Sequence, residues 1–87
     1  MISETTIRKV RELAIEDVLS PYVRLSRKGS TLMGLCPFHT EKTGSFAVTP
    51  GKNLFHCFSC NRGGDSITFI MEKENLSFSS AVEFIAR

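Results

Sequence analysis

The chain has 87 residues, of which 41% are hydrophobic and 23% charged, and its formal net charge is +2. This length fits one small domain, and this composition is typical of a globular chain rather than a disordered one. No apolar run reaches the roughly 20 residues that cross a bilayer, and residues 1–11 lack the apolar region of a signal peptide. We therefore expect a cytoplasmic protein that does not contact a membrane.

Helical spacing dominates the N-terminal part of the chain. Ile7, Val10 and Ala14 recur at intervals of three and four residues, which predicts a helix from about 3 to 13 and a short second helix that continues to 19. Pro21 ends this region, because proline lacks an amide hydrogen and clashes with the preceding helical turn.

Short alternating segments in the middle of the chain predict an antiparallel sheet. Val23, Arg24 and Leu25 alternate apolar and charged side chains, as a half-buried strand does. Glycine and proline mark the turns between this strand and the next ones. We predict strands over 23–26, 31–35, 45–49 and 54–58, with turns at 28–30 and 50–53.

The period changes to a helical one after Gly63-Gly64. Asp65 is a good N-cap for a helix with an apolar stripe, and Asn75 can end that helix. Ser77 can cap a final helix. The stripe of the first helix comprises Ile67, Ile70 and Met71; the inward side chains of the second are Phe78, Ala81, Val82 and Ile85.

Two pairs of metal-ligand residues share the same short spacing. Cys36 and His39 are separated by two residues, and so are Cys57 and Cys60. A two-residue gap lets both side chains of a pair turn onto one ion, and four such ligands satisfy tetrahedral zinc. An odd number of cysteines is awkward for a set of disulfides and suits a site that a histidine completes. We therefore predict one Zn²⁺ ion, held by all four residues; because no position is left for water, the ion is structural.

The alternative is three buried thiols and a surface histidine, but chance rarely supplies two such pairs with a hairpin between them. His56 is the competing ligand. It precedes Cys57 in a predicted strand, where neighbouring side chains point to opposite faces, so we leave it out of the site.

Each pair follows a predicted strand, which is the layout of a zinc ribbon. The fold class is therefore α+β: a small zinc ribbon with an antiparallel β-sheet, flanked by N-terminal and C-terminal helices. We predict a single domain over 1–87, with helices at about 3–19, the ribbon at about 22–62 and helices at about 65–86. We expect it to be the N-terminal part of a longer protein.

The residues around the metal ligands resemble those of the N-terminal zinc-binding domain of bacterial DnaG-type primases, along most of the chain. Gly44 stands where that family usually has proline. Around the second pair of metal ligands the family is richer in glycine, whereas this chain has Ser59, Asn61 and Arg62. A chromosomal primase and a relative carried by a mobile element both fit this pattern. The resemblance is carried by 34–39 (GLCPFH), 41–43 (EKT), Ser45-Phe46, Val48, Pro50, 55–60 (FHCFSC), 63–65 (GGD), Ile67, 69–71 (FIM) and 78–86.

The resemblance implies a module that binds single-stranded DNA template and helps select where RNA primers begin during DNA replication. Such a surface needs basic groups for phosphates and flat rings for bases, and residues 22–62 contain six basic residues but one acidic residue. Phe38, Phe46, Phe55 and Phe58 lie among them, and we expect at least two of these four to be core residues. The candidate DNA-binding residues are Lys42, Phe46, Lys52, Arg62, Arg24, Arg27, Lys28 and Phe58; the first two are the leading candidates.

The acidic residues are scattered rather than grouped for magnesium, so we expect this chain alone not to be an enzyme. The resemblance implies as partners a primase polymerase domain, in cis or in trans, and a replicative helicase. The alternative function is a protein-interaction module that docks on one of these two proteins, in which case the basic surface is incidental.

Overall fold

A computed structural model describes residues 2–40 and 44–87. Within these ranges, no helix is both long and apolar enough to span a membrane. The helices and strands follow in this order: α1 (Glu4–Glu12), α2 (Ile15–Leu19), β1 (Ser26–Lys28), β2 (Thr31–Gly34), β3 (Phe46–Thr49), β4 (Leu54–Cys57), β5 (Gly63–Gly64), α3 (Ser66–Glu74) and α4 (Phe78–Ala86).

The strands form one antiparallel sheet in the order β1-β2-β3-β4-β5. Helices lie at both ends of the chain, so the predicted α+β fold class is confirmed. The register places Met33 opposite Ala47, Ala47 opposite His56, and His56 opposite Gly63. These four residues therefore form a row across one face of the sheet.

Two strands differ from the prediction. The expected strand at 23–26 begins only at Ser26, because Val23 still donates its amide to the Leu19 carbonyl at 3.2 Å. Gly63 and Gly64, which lie outside the four predicted strands, pair with β4 as a fifth strand. A Cβ atom at Gly63 would lie 3.0 Å from His56 Nδ1 and 3.1 Å from the Phe55 carbonyl oxygen. This strand therefore depends on glycine for its close approach.

The helix ends follow the predicted signals. The Asp65 side chain accepts a hydrogen bond from the Thr68 amide at 2.9 Å, and the Ser77 hydroxyl accepts one from the Ser80 amide at 3.3 Å. Asn75 ends α3 in the left-handed conformation, with φ 55°. The two predicted N-caps and the predicted stop are thus confirmed.

The core lies between the helices and one face of the sheet. Phe69 of α3 is fully buried, and its ring lies 5.2–6.0 Å from four other aromatic rings. Complete burial of such a side chain stabilises the fold by roughly 1.5–3 kcal/mol. The expectation that at least two of the four phenylalanines are core residues is confirmed by Phe46 and Phe55. The rings around Phe69 are those of Tyr22, Phe38, Phe46 and Phe55.

One predicted core residue lies at the surface. Ala81 and Val82 of α4 are fully buried, but Phe78 is 39% exposed. Phe78 is the first residue of α4, and the Arg11 guanidinium lies 5.8 Å from the centre of its ring. The prediction that Phe78 points inward is therefore wrong, because the core contacts of α4 begin one turn later.

Asn53 joins the sheet to the N-terminal helices. Its side-chain oxygen accepts a hydrogen bond from the Ile15 amide at 2.9 Å, at the start of α2, where no side chain within the helix provides a cap. Its side-chain nitrogen donates to the carbonyls of Arg11 and Leu13 at 3.1 and 3.0 Å. One turn residue thus satisfies backbone groups at the end of α1 and the beginning of α2.

We expect Asn53→Gly to lower the free energy of unfolding by about 1–3 kcal/mol, because part-buried backbone groups lose their partners. Asn53→Ala should cost roughly 1 kcal/mol more, since Asn53 has φ 57° and alanine disfavours that region. Chemical denaturation of the zinc-loaded chain would measure both. Lys52→Ala, in the same turn but exposed, is the control, and equal stability of the control and Asn53→Gly would contradict this account.

Candidate metal centre and open sheet face

The two ligand pairs meet at the same end of the sheet. Cys57 is the last residue of β4, and Cys36 follows the end of β2 by two residues. The Sγ atoms of Cys36 and Cys60 lie 3.8 Å apart, and Cys57 Sγ lies 3.8 Å from His39 Nε2. All four ligand atoms lie within 4.8 Å of one another. A tetrahedral ion with bonds of about 2.3 Å separates its ligands by about 3.8 Å, so these donors fit zinc.

The imidazole of His39 is oriented for metal binding through one nitrogen. Its Nδ1 atom lies 3.2 Å from the Thr40 carbonyl oxygen. A carbonyl only accepts, so Nδ1 must carry the proton and donate it, and Nε2 keeps its lone pair. This hydrogen bond to the nitrogen that does not bind the metal is typical of metal-ligating histidines.

The second ligand pair, Cys57 and Cys60, lies in a tight turn that is closed by backbone hydrogen bonds. The Asn61 amide donates to the Cys57 carbonyl at 2.8 Å, and the Cys57 amide donates to the Arg62 carbonyl at 2.8 Å. Asn61 takes the left-handed conformation, with φ 63°. Asparagine tolerates this region better than most residues, which explains how this pair forms without the family's glycine.

The surroundings shift the thiol pKa values in opposite directions. Burial raises the pKa of Cys36 to about 12. Burial also opposes ionisation of Cys57, but hydrogen bonds from the Cys60 and Ser59 amides and from the Ser45 hydroxyl help to outweigh it, and the Cys57 pKa falls to about 6. Cys57 is therefore prepared to ionise, whereas Cys36 needs the charge of a bound cation.

Two serines support Cys57 from the side. The Ser59 hydroxyl donates to Ser45 Oγ at 2.6 Å, and Ser45 Oγ lies 3.7 Å from Cys57 Sγ. Neither serine is predicted from the sequence, because a serine near a pair of metal ligands carries no distinctive pattern.

Helix α3 contacts both ligand pairs. Lys73 donates to the Pro37 carbonyl at 2.8 Å. The Arg62 guanidinium lies 5.1 Å from the centre of the Phe38 ring, and its Nε atom lies 3.4 Å from Glu72 Oε2. A hydrogen bond to Cys60 also raises the Arg62 pKa. Arg62, a predicted DNA-binding residue, therefore joins the two ligand pairs and α3.

The sheet face opposite the core carries the row Met33, Ala47, His56 and Gly63, together with Phe58. We call this the open face. Along β4 the side chains alternate, with His56 half-buried on this face and Phe55 in the core, whereas Ala47 on β3 is buried like its neighbours Phe46 and Val48. Phe58 is 69% exposed, and its ring packs edge to face on His56 with 4.7 Å between the ring centres.

One leading DNA-binding prediction is corrected by the structure. Phe46 is 0% exposed and stacks on Phe55, so its ring is not available to a base. Its register partner is Cys57, whose side chain faces the metal centre inside the fold. Lys42, the other leading candidate, lies outside the described residues.

The other basic candidates are spread over separate places. Arg24 and Lys28 line a cavity of about 650 Å³ together with Met33 and Leu35. Arg27 bonds to the Gly29 carbonyl at 3.3 Å, at the tip of the β1–β2 hairpin. Lys52 is exposed in the β3–β4 turn, at the opposite end of β4 from Cys57. Only Arg24 and Lys28, of these four, share a described cavity at the open face.

The four ligand atoms lie near the ends of two strands and fill all four positions of a tetrahedral ion. This arrangement defines a structural zinc ribbon. Residues 2–87 match the family model described as CHC2 zinc finger, the zinc ribbon of DnaG. The chain belongs to this family, and it binds one structural zinc ion.

Relatives agree with this assignment. The chain is 48% identical over 86 residues to a DNA primase of Geobacillus stearothermophilus and 52% identical over 87 residues to one of Mycobacterium tuberculosis. In both cases the match covers 98% of this chain and 14% of the relative. The crystal structure of the Aquifex aeolicus primase, with its zinc-binding and RNA polymerase domains, matches with a TM-score of 0.86 and 41% identity. That match covers 99% of this chain and 21% of the other.

We expect His39→Ala to reduce the zinc content well below one ion per chain and to unfold much of the ribbon, because metal binding and folding are coupled in such domains. His56→Ala should keep its zinc, since His56 lies outside the ligand cluster among the described residues. Zinc analysis after gel filtration would check both variants. Loss of zinc from His56→Ala with full retention in His39→Ala would reverse the ligand assignment.

Proposed function

We propose that this chain is the zinc-binding module of a DNA primase: it binds single-stranded DNA template and helps select where RNA primers begin. Its zinc ion would be held by Cys36, His39, Cys57 and Cys60. The family and the naming of the relatives as DNA primases support this proposal. A role in replication would place the chain in the cytoplasm, with a polymerase domain and a replicative helicase as partners.

The observation that carries the proposal is the composition of the open face. Arg24 and Lys28 are both exposed and line one cavity with the apolar side chains of Met33 and Leu35. Basic groups can track phosphates, while apolar and aromatic surface accommodates unpaired bases. Phe58 supplies an exposed ring on the same face.

Three acidic residues in α3 and at its N-cap already have structural partners. Asp65 caps α3, Glu72 pairs with Arg62, and Glu74 accepts a hydrogen bond from the Tyr22 hydroxyl at 2.7 Å. Primer synthesis needs carboxylates grouped around magnesium beside the nucleotide phosphates. We therefore assign catalysis to a polymerase domain outside this chain, and template binding to this module.

A second candidate function, docking on the polymerase domain or the helicase, is favoured by an apolar groove between the helices. Its volume is about 440 Å³, and two of its lining residues, Leu13 and Phe84, are 44% and 39% exposed. The groove lies on the helical side of the molecule, away from the open face, so both functions can be tested separately. The groove is lined by Leu13, Asp17, Val18, Pro21, Tyr22, Ile70, Phe84 and Ile85.

We expect the double variant Arg24→Ala/Lys28→Ala to weaken binding to oligothymidylate and to lessen its salt dependence. Removal of two phosphate contacts should reduce the slope of log affinity against log salt by about 1.4. Backbone amide NMR titration of the zinc-loaded chain at several salt concentrations would measure both quantities.

The matched control is Arg8→Ala/Lys9→Ala, which removes the same charge from exposed positions on α1. It should change the affinity little, because those residues lie outside the open face. If both double variants lost affinity equally, net charge rather than a defined face would control binding. If the unmodified chain did not bind at millimolar DNA, docking would become the leading function.

A further inference from the structure

Arg62 contacts both halves of the metal centre. Its guanidinium carbon lies 5.1 Å from the centre of the Phe38 ring, and Phe38 stands between the two ligands of the first pair. Its backbone carbonyl accepts a hydrogen bond from the Cys57 amide at 2.8 Å, which fixes its main chain to a ligand of the second pair. The residue therefore bridges two segments that the chain itself connects only through the β3–β4 hairpin.

The guanidinium is held in one orientation by groups on two sides. The Phe38 ring offers its face to the cation and is itself fixed by packing on Phe69 at 5.2 Å between ring centres. On the other side, Glu72 Oε2 lies 3.4 Å from the Arg62 Nε atom. Both side chains of this ion pair are nearly half exposed, so the pair alone contributes little to stability. What it does is to aim the planar group.

The remaining partner of the guanidinium is the Cys60 side chain. A hydrogen bond to Cys60 is the main reason why the Arg62 pKa is raised. Cys60 is also the one cysteine of the three that is not buried. Among the sulfur ligands it is thus the one that water or a competing chelator reaches first, and Arg62 lies against it.

The charge of the ligand set gives a cation at this position a purpose. Three thiolates outnumber the two positive charges of a zinc ion, and the His39 imidazole is neutral when it binds through Nε2. The loaded site therefore carries excess negative charge. A guanidinium that donates to one of the sulfurs offsets this charge, and charge-assisted hydrogen bonds are the strong ones. Lys73, the other basic residue beside the ligand pairs, is already bonded to the Pro37 carbonyl.

We propose that Arg62 is a positioning residue for the zinc ligand Cys60 and that it slows loss of the metal ion. Its hydrogen bond holds the Cys60 sulfur toward the ion, and its contacts with Phe38 and Cys57 keep the two ligand pairs together. This role is independent of template binding. It also gives Arg62, a predicted DNA-binding residue, a different task, because its guanidinium is engaged at the metal centre.

The test measures how fast the zinc-loaded chain gives up its ion to an excess of the chromogenic chelator 4-(2-pyridylazo)resorcinol. Arg62→Met keeps most of the aliphatic stem and removes the guanidinium. It should bind zinc about tenfold more weakly and release it correspondingly faster, as expected when the partner of a metal ligand is lost. Arg62→Lys keeps the positive charge without the planar fork, so its release rate should lie between those of Arg62→Met and the unmodified chain.

Arg8→Met is the matched control, because it removes the same group from an exposed position on α1. It should release zinc at the rate of the unmodified chain. Circular dichroism of each zinc-loaded variant would show that it is folded.

A spectroscopic measurement separates positioning of Cys60 from general support of the fold. A hydrogen bond lowers the energy of the sulfur lone pairs. In the cobalt-substituted chain, its loss in Arg62→Met should therefore move the thiolate-to-cobalt charge-transfer band to longer wavelength. A residue that only supports the fold would leave this band in place.

Three results would overturn the proposal. Equal release rates of Arg62→Met and Arg8→Met would remove Arg62 from metal retention. A charge-transfer band that does not move would exclude Cys60 as the group through which Arg62 acts. An unchanged release rate together with weaker binding of oligothymidylate would make Arg62 a DNA contact instead. None of the expected results depends on template binding, so failure of the proposed function would leave this role intact.

Discussion

The metal tetrahedron is the constraint on which the rest of this fold depends. The strands have two to four residues each, so the sheet supplies few hydrogen bonds and little buried area of its own. The zinc ligands join the end of β2 to the end of β4 across the intervening strand. Two of them, Cys36 and Cys57, belong to the buried core itself. Removal of the ion would therefore break the bonds that hold these two core residues to the other ligands.

The aromatic core depends on the metal centre in turn. Phe38 lies within the first ligand pair, and its ring is 5.2 Å from Phe69. Phe69 belongs to α3, whose Lys73 bonds to the carbonyl of Pro37 in the same pair. The chain between Cys36 and His39 is thus fixed from inside by packing and from outside by a hydrogen bond. Because the backbone on both sides of the ion is determined in this way, the ligands do not need long strands to position them.

Spacing along the chain was sufficient to predict the ligands, because both pairs are local. Neighbouring side chains of a strand point to opposite faces, which is why His56 was left out of the site. The same alternation predicts the faces of its neighbours: Cys57 points inward, so Phe55 must point inward and Phe58 outward. The DNA-binding prediction for Phe46 is wrong because the face on which Phe46 lies depends on its pairing with Cys57 across the β3–β4 turn. That register is not visible in either strand alone.

The roles of Asn53 and of strand β5 were not predictable from the sequence either, because they depend on contacts that form only in the folded chain. Asn53 looks like an ordinary turn residue, and only the folded chain brings its side chain to Ile15, 38 positions away. Strand β5 consists of two glycines, which have no side-chain alternation and therefore look like a turn. Helix boundaries were more accessible, since Asp65 and Asn75 act on amides and carbonyls a few residues away.

The metal centre lies between the two surfaces that the proposals concern. On one side, the turn that contains Cys57 and Cys60 places Phe58 on the open face. On the other side, Arg62 and Lys73 connect the ligand pairs to α3, and Ile70 of that helix lines the apolar groove. A structural ion can therefore matter to both surfaces without touching DNA or protein, because it fixes the backbone from which each one projects. The two proposed functions share this support, although they use different faces of the molecule.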